Sequence, residues 1–496
     1  IEAIRWFYYF RRGIEDRYLE FLPGGHIGAG AHQAERYWRL EDRDGDQQLV
    51  ISSREQDTAI LRIQPEGSWE GSWLRFEQSP VGLIPHEGLC DESPADEATH
   101  LPTLLYITPV TPAESGNGLA MRAANVLRLL TATNRVFVLI IPLYPPGTAT
   151  EQPAWMAEFC EDVRWARPPV EYTREAILDS EYEGWQHAWM EEVARAYTDQ
   201  SFDIIHVFRL ATLHYAGLAL ERRENQRAIR QLDLDDIESR THMRLAALYA
   251  RRNREADRVE ALRLANRAAT SERQLLTSWD RIFICSETDK ADLEARLPHH
   301  RAEIVVLPNR VQLPANPLPP PHSLPFTLLY VGTLNYFPNA DGIIWFCQEV
   351  LPIIRELSPL HIRLWIVGTG ATDELLDLAH IPEVEVIGEV ERVDPWYHRA
   401  DLVIVPLCAG GGTRIKLIEA LAYRRPVVGT SIAAEGLDVV DGTHLLIGDR
   451  PDVFARHCLR LLQDTSLAER LAAQGRSLVE ERYALPASDR VSTRVR

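Results

Sequence analysis

Lysine is almost absent from this sequence. Of its 53 lysine and arginine residues, only Lys290 and Lys416 are lysines. A bias of this kind usually reflects genomic base composition or heat adaptation rather than function. A lysine that persists against the bias is therefore a candidate for chemistry that a compact ammonium group performs better than a planar guanidinium.

Long apolar runs, excess positive charge and closely spaced cysteines are also missing. No apolar run approaches the roughly 20 residues that a membrane-spanning helix needs, which excludes a spanning role. The net charge of −19 argues against a nucleic-acid partner. The six cysteines lie 50 or more residues apart, without the spacing of a metal site. We therefore expect reduced cysteines packed inside a cytoplasmic protein.

What is present is enough sequence for about three domains, since a domain has roughly 150 residues. The first, residues 1–98, is predicted to be a β-rich accessory domain. Its short apolar runs lie at 37–40, 48–51, 59–63, 74–77 and 81–84. The turn signal Asp44-Gly45 predicts a hairpin between the first two runs. Trp69 and Trp73 are interpreted as closing a small β-sandwich core, with stacking on sugar rings as the alternative.

Strands alternate with helices after an acidic stretch, residues 91–97, that is predicted to be a linker. Continuous apolar strands separated by helices predict parallel sheets covered on both faces, which is an α/β fold. The alternation occurs twice, in residues 103–313 and again in 326–480, on either side of a proline-rich hinge at 314–325. Residues 481–496 are predicted to return to the first of these domains. Two facing domains of this kind imply a ligand cleft between them.

The strongest signal for chemistry is a glycine-rich segment that follows the predicted strand 402–405. Gly410, Gly411 and Gly412 lead directly into a helix, whose free N–H groups and dipole attract phosphate. Thr413, Arg414, Lys416 and Glu419 follow. Lys416 and Glu419 are three residues apart and therefore share one face of the helix. The segment offers amides and an ammonium for a diphosphate, and a carboxylate for ribose hydroxyls; a capped helix with an incidental ion pair is the alternative.

Over residues 103–485 the chain resembles the family-4 retaining glycosyltransferases. The resemblance rests on the segments 285–289, 307–311, 331–333, 336–342, 366–368 and 406–430. It implies the GT-B fold, in which two facing Rossmann-like domains bind a nucleotide sugar in the cleft. It also implies sugar transfer with retention to a glycan or lipid-linked acceptor, without a cofactor or bound metal.

Three departures from the family's pattern affect the predicted site. Gly411 stands where the family usually has the first glutamate of a Glu-x7-Glu pair, of which Glu419 is the second. Thr333 stands where an arginine-plus-lysine phosphate clamp usually begins, which leaves Lys416, with Arg414 nearby, to carry that charge. Phe208 replaces a histidine that usually contacts the transferred sugar.

Other candidate residues lie in the first α/β domain. Gly116, Asn117 and Gly118 occupy the position of the family's flexible loop near the donor phosphates and the acceptor; an ordinary loop is the alternative. Arg209 is a candidate contact for the donor, or else a structural ion pair. His206, inside an apolar strand, is predicted to be buried and structural.

A run of carboxylates ends the predicted strand at 229–234. Asp235 and Asp236 are candidates for orienting the acceptor hydroxyl or the donor sugar, because carboxylates gathered at a strand end are costly. Capping the next helix is the alternative. With Arg209, they form the predicted catalytic group.

An arginine-rich helical stretch covers residues 240–278. A solvated face is one interpretation. The other is contact with anionic lipid, or with a lipid-linked phosphate acceptor, at the inner face of a membrane.

The sequence is also compatible with other functions. Residues 367–372 begin like a dinucleotide fingerprint, but Asp373 replaces its third glycine, so a dehydrogenase is disfavoured. A nucleotide-sugar epimerase on the same fold and a non-catalytic glycan- or nucleotide-binding protein are the alternatives to a glycosyltransferase.

Overall fold

The structure, a computed structural model, divides into two compact units, Ile1–His100 and Leu101–Arg496. It describes residues 6–11, 15–22, 26–27, 37–43, 46–52, 57–64, 69–73, 80–85, 101–114, 116–143, 153–166, 192–193, 195–296 and 300–485. The predicted turn at Asp44-Gly45, the predicted run at 74–77 and the predicted linker at 91–97 lie outside these residues.

The N-terminal unit is an antiparallel sheet that closes on itself. Its strands are β1 (Trp6–Arg11), β2 (Glu15–Leu22), β3 (His26–Ile27), β4 (Tyr37–Arg43), β5 (Asp46–Ser52), β6 (Asp57–Ile63), β7 (Trp69–Trp73) and β8 (Pro80–Pro85). Each strand pairs with the next, and β1 pairs with β8. The prediction of a β-rich domain is confirmed. The prediction of a two-sheet sandwich was wrong, because β1 pairs with β8 and joins the two edges of one sheet. Trp69 is buried and lies opposite Leu83 in the register.

The second unit begins with a seven-stranded parallel sheet. Its strands are β9 (Thr103–Thr108), β10 (Arg135–Ile140), β11 (Asp162–Trp165), β12 (Ile204–Phe208), β13 (Ile229–Asp235), β14 (Arg281–Ile284) and β15 (Glu303–Val306). The helices are α1 (Gly118–Thr131), α2 (Ala154–Phe159), α3 (Leu210–Glu221), α4 (Glu238–Arg251), α5 (Glu255–Ser278) and α6 (Glu287–Arg296), with a 3-10 turn at Arg223–Asn225. The strand order is β11-β10-β9-β12-β13-β14-β15. This sheet and its helices are called the first half below.

A second parallel sheet of six strands forms the other half of this unit. Its strands are β16 (Phe326–Val331), β17 (Ile362–Val367), β18 (Val384–Gly388), β19 (Leu402–Val405), β20 (Val427–Gly429) and β21 (Leu446–Ile447), in the order β18-β17-β16-β19-β20-β21. Its helices are α7 (Phe337–Trp345), α8 (Leu351–Leu357), α9 (Asp373–Leu376), α10 (Asp394–Arg399), α11 (Ile415–Ala422), α12 (Ser431–Ala434), α13 (Pro451–Gln463) and α14 (Thr465–Arg482), with a π-helix at Phe346–Val350 and a 3-10 turn at Asp377–His380. Two parallel sheets after a β-rich domain confirm the predicted fold class.

The predicted hinge, residues 314–325, contains no helix or strand and lies between the two sheets. The predicted return segment, 481–496, is described only to residue 485. There the backbone N–H of Val311 donates to Tyr483 over 2.8 Å, and Leu485 donates back to Val311 over 2.9 Å. The chain after α14 therefore meets the segment that leaves the first sheet. The domain limits of 103–313 and 326–480 stay predictions.

The arginine-rich stretch folds into α4 and α5, which pack on each other. Six of its arginines pair with carboxylates: Arg240 with Asp289, Arg244 with Glu435, Arg252 with Asp341, Arg254 with Asp257, Arg258 with Glu255, and Arg263 with Glu260. Charges paired within the protein give no support to the predicted membrane contact. Among the helices of the described ranges, none combines the length and apolar character needed to cross a bilayer.

Candidate functional site

Both parallel sheets reverse their strand order at one point, between β9 and β12 in the first half and between β16 and β19 in the second. In parallel sheets, ligands bind at such points, outside the carboxyl ends of the strands. The loops that leave these strands carry the predicted residues: Gly116–Gly118 follows β9, Arg209 follows β12, Gly332 follows β16, and Gly410–Arg414 follows β19. The topology therefore gathers the candidate residues in one cleft.

The glycine-rich loop is held by its own arginine and by the first half. The backbone φ angles of Gly410 and Gly412 are +133° and +64°, which favour glycine. Arg414 is buried, and its guanidinium donates to the carbonyl groups of Gly411 and Gly412. The side chain that was predicted to help bind phosphate thus orders the loop.

Lys416 and Glu419 are the two residues of α11 that are not fully buried. The other six positions of this short helix pack into the core of the second half, because they are apolar and the helix lies against the sheet. Both charged side chains are therefore fixed on the one remaining face, as the sequence spacing predicts.

The ammonium of Lys416 lies beside the loop that follows β16. Its Nζ donates to the Oδ1 of Asn339 over 2.7 Å and to the hydroxyl of Tyr330 over 3.1 Å. A Cβ added to Gly332 would lie 2.6 Å from this Nζ, so a side chain at position 332 would displace the ammonium. Burial, with help from the positive charge of Arg414, lowers the pKa of Lys416 to about 7. An anionic ligand would restore the charged form.

Glu419 lies one turn further along the same face. Burial raises the pKa of its carboxyl to about 7, against the opposing effect of Lys416, and the negative charge of Asp394 adds to the rise. In the described structure this carboxylate accepts no hydrogen bond from another side chain or from the backbone. A half-buried carboxylate with free acceptor capacity suits a ligand that brings hydroxyl donors.

Arg209 is surrounded by carboxylates of the first half. Its Nη1 lies 2.7 Å from Asp236 and 3.2 Å from Asp235, and its Nη2 lies 3.1 Å from Glu238. Its φ of +72° is unusual for a residue with a side chain and marks a sharp turn between β12 and α3. Arg209 is therefore oriented by these carboxylates at the cleft.

Asp235 and Asp236 end β13 at the cleft. Asp235 has a φ of +62°, and it accepts from the Sγ of Cys285 over 3.2 Å. Asp236 is buried and accepts a hydrogen bond of 3.1 Å from the hydroxyl of Thr241. A Cβ on Gly411 would lie 2.5 Å from the Oδ2 of Asp236, so the two halves touch here.

The loop at Gly116–Gly118 lies close to the start of α11. The Oδ1 of Asn117 accepts from the N–H of Leu119 over 2.8 Å and caps helix α1. A Cβ on Gly118 would lie 3.5 Å from the side chain of Ile415. The loop thus lies near the second half, while Asn117 uses its side chain as a cap.

A buried polar network that the sequence did not reveal joins the halves below the cleft. Arg122 is 1 % exposed and donates to Asp233 over 2.7 Å and to the Oδ1 of Asn309 over 3.0 Å. The amide of Asn309 donates to the hydroxyl of Thr413 over 2.9 Å. Arg122 is a lone charge in an apolar part of α1, which is the only signal of this role in the sequence.

Helix α4 spans the cleft from the first half to the second. Arg244 donates to Glu435 over 2.6 Å and to the carbonyl of Gly410 over 3.1 Å. Arg252 donates to Asp341 over 2.6 Å. These contacts hold the cleft in the closed arrangement that the structure has.

The remaining predictions concern histidine and metals. His206 is buried and its Nδ1 lies 3.1 Å from Gln231, which confirms a structural role. Within the described ranges, no group of three or more His, Cys, Asp or Glu side chains is arranged to hold a metal ion.

Comparison with known proteins adds a family match in the second half. Residues 325–464 match the family described as "Glycosyl transferases group 1". A curated relative, an "Uncharacterized 44.6 kDa protein in cps region" of Klebsiella pneumoniae, is 28 % identical over 164 residues. That match covers 32 % of this chain and 42 % of the relative, so the chain spans less than half the length of this relative.

Two solved structures resemble the chain over most of their length. Sucrose-phosphate synthase from Thermosynechococcus elongatus is 16 % identical with a TM-score of 0.57, covering 77 % of this chain and 95 % of its own. HepE from Anabaena, solved in complex with UDP and glucose, is 13 % identical with a TM-score of 0.54; the match covers 77 % of this chain and 96 % of the HepE chain. The chain has the GT-B fold, and the family match and the fold together support a glycosyltransferase.

Proposed function

We propose that the chain transfers a glycosyl group from a nucleoside-diphosphate sugar to a hydroxyl of a glycan or lipid-linked acceptor, with retention at the anomeric carbon. The observation that carries the proposal is the placement of Lys416 between the glycine-rich loop and Gly332. A lysine in a nearly lysine-free chain thus stands directly after the glycine-rich loop, with its ammonium beside Gly332.

The diphosphate of the donor would lie at Gly411, Gly412 and Thr413. The start of α11 supplies N–H groups and the positive end of its dipole, and Lys416 supplies a full charge. The ribose hydroxyls would donate to Glu419, one turn away, whose carboxylate is free to accept them.

The first half supplies carboxylates instead of cations. Asp235, Asp236 and Glu238 pair with Arg209, and Asp235 also lies 3.4 Å from Arg122, so three carboxyl groups share two guanidinium groups and keep acceptor capacity. Hydroxyl-rich sugars are donors and suit this wall, whereas phosphate suits the wall at Lys416. The contrast between the two walls supports a ligand that has a diphosphate at one end and a sugar at the other.

The comparisons are consistent with this class of substrate. HepE was solved with UDP and glucose, and the curated relative comes from a cps region. We extend to this chain the retaining family-4 subclass, a nucleotide-sugar donor and an acceptor on the way to a polysaccharide. The cytoplasmic location expected from the cysteines fits such a donor.

In the proposed mechanism, charge that develops on the leaving diphosphate is stabilised by Lys416 and by the N–H groups at the start of α11. Electrostatic stabilisation of this kind in a closed cleft is worth several kcal/mol, roughly a hundredfold or more in rate. Because the half-sites lie on different sheets, the cleft must open to admit the donor and close before transfer.

A panel of nucleotide sugars tests the proposal: UDP-glucose, UDP-galactose, UDP-N-acetylglucosamine, GDP-mannose and ADP-glucose, each incubated with the full chain. Release of free nucleoside diphosphate is expected with one of them, and it should persist in a chelator. A changed sugar without release would indicate an epimerase. Binding without either would indicate a non-catalytic module.

The stereochemistry of the product tests the finer claim. Proton NMR of the first product formed should show the anomeric configuration of the donor. An inverted product would contradict retention.

A further inference from the structure

Gly411 contacts two side chains of the first half. A Cβ at this position would lie 1.8 Å from the Oγ1 of Thr241 and 2.5 Å from the Oδ2 of Asp236. At these distances the side chains of Thr241 and Asp236 would have to shift to admit a Cβ, so a larger residue at position 411 would disturb the contact between the two halves. The φ angle of Gly411 is not among the left-handed ones, unlike those of Gly410 and Gly412. Space, rather than backbone conformation, therefore requires glycine here.

The carboxylate of Asp236 is the charged group in that space. It is 7 % exposed, and its two oxygens are held separately: Oδ1 accepts from Arg209 over 2.7 Å, and Oδ2 accepts from Thr241 over 3.1 Å. An ionised carboxylate has about four acceptor sites, so roughly two remain. The side chain is therefore fixed and still able to bind hydroxyl groups.

The position of Asp236 relative to the proposed diphosphate site is defined by the next glycine. A Cβ on Gly412 would lie 3.2 Å from the Cβ of Asp236. Gly412 is part of the loop at which the diphosphate is proposed to bind. The donor sugar is bonded directly to an oxygen of that diphosphate. Asp236 therefore lies beside the loop proposed to bind the diphosphate, on the side of the first half.

We propose that Asp236 binds a hydroxyl of the donor sugar and supplies, from across the cleft, the carboxylate that position 411 lacks. The proposal rests on the proposed function. It means that the sugar-binding carboxylate belongs to the first half while the diphosphate site belongs to the second. Sugar binding is then complete only when the cleft is closed.

The first test compares two ligands and one isosteric variant. With the full chain, we expect Asp236→Asn to change the affinity for UDP, or for the diphosphate of whichever donor the panel selects, by less than about twofold. The same variant should lower the affinity for the intact nucleotide sugar by about tenfold or more, because a hydrogen bond to a charged group is lost. It should lower the kcat for consumption of that sugar by a similar factor. Asp257→Asn, the same change at an exposed carboxylate that pairs with Arg254 three residues away, is the matched control and should retain wild-type affinity and kcat.

The second test moves the carboxylate to the other side of the cleft. Asp236→Ala with Thr241→Ala removes the two oxygens nearest to position 411, and Gly411→Asp then adds a carboxylate there. We expect the triple variant to recover part of the kcat that the double variant loses. Gly411→Asp alone should lose activity, because its side chain meets Asp236 and Thr241.

Two results would overturn the proposal. One is wild-type kcat and sugar affinity in Asp236→Asn. The other is an equal loss of affinity for the free diphosphate, together with no recovery in the triple variant, which would mean that Asp236 only supports the loop. If the wild-type chain neither consumes nor binds any nucleotide sugar of the panel, the proposed function itself is wrong.

Discussion

The ammonium of Lys416 lies 2.7 Å from the amide oxygen of Asn339 and within the space that a side chain at Gly332 would need. The contact ties the start of α11, which follows β19, to the start of α7, which follows β16; β16 and β19 flank the strand-order reversal of the second sheet. A positive charge is thereby held at the place where a parallel sheet binds its ligand.

Loss of either charged residue of α11 should weaken nucleotide binding. We expect Lys416→Met and Glu419→Ala each to reduce the affinity for the nucleoside diphosphate about ten- to a hundredfold, because each removes a hydrogen bond to a charged group worth about 1.5–3 kcal/mol. Isothermal titration calorimetry measures this directly. Lys290→Met is the matched control: Lys290 lies on α6, 4.0 Å from Glu294. Equal affinities in wild type and both α11 variants would contradict the assignment.

Nucleotide binding should weaken in alkaline solution. The pKa of Lys416 is about 7 in the unliganded protein, and a bound diphosphate favours the protonated form. Binding above pH 7 therefore takes up a proton, and the affinity should fall about tenfold between pH 7.5 and pH 9, where Glu419 is already ionised. Lys416→Arg, whose guanidinium keeps its proton throughout, should not show this fall. Parallel pH profiles in the two proteins would contradict the prediction.

The buried pair of Arg122 and Asp233 should be important for stability. Arg122→Ala leaves the carboxylate of Asp233 buried and without its main partner, so we expect a loss of about 3–5 kcal/mol in the free energy of unfolding. Arg128→Ala on the same helix breaks an exposed pair with Glu114 and a stacking contact with Trp155, and should cost only about 1 kcal/mol. Urea titration of both variants compares the two losses. Similar losses would mean that the buried network does not hold the first half together.

The ion pairs of α4 should keep the cleft closed. Glu435→Gln combined with Asp341→Asn removes the partners of Arg244 and Arg252, so we expect a larger radius of gyration by small-angle X-ray scattering. Glu260→Gln is the control, since Glu260 pairs with Arg263 on its own helix. An unchanged radius of gyration in the double variant would show that other contacts hold the halves together.

The sequence predicted the elements of this fold well where the signal is local. The apolar positions of α11 and the position of Lys416 and Glu419 on its open face follow from helical spacing alone. Closure of the N-terminal sheet was not predictable in the same way, because apolar and polar residues alternate along a barrel strand just as they do along a sandwich strand. Only the long-range β1–β8 pairing distinguishes the two.

Contacts between the two halves could not be predicted from local sequence patterns. The sequence shows a missing carboxylate at Gly411 and a surplus of carboxylates near Asp236, but not that these two positions meet. Arg414 illustrates the reverse: its charge suggested phosphate binding, whereas its buried guanidinium donates to two backbone carbonyl groups of its own loop. The contact between Gly411 and Asp236 and the burial of Arg414 both depend on how one half packs on the other.

Labelling of the two lysines with an amine-acylating reagent tests the central claim most directly. Because Lys290 and Lys416 are the only lysines of the sequence, peptide mass spectrometry can follow each one separately. The lowered pKa of Lys416 leaves much of its amine unprotonated, and so open to acylation, near pH 7. We predict that the nucleoside diphosphate of the preferred donor protects Lys416 from acylation and leaves the labelling of Lys290 unchanged. Equal labelling of Lys416 with and without saturating nucleotide would contradict a diphosphate site at this residue.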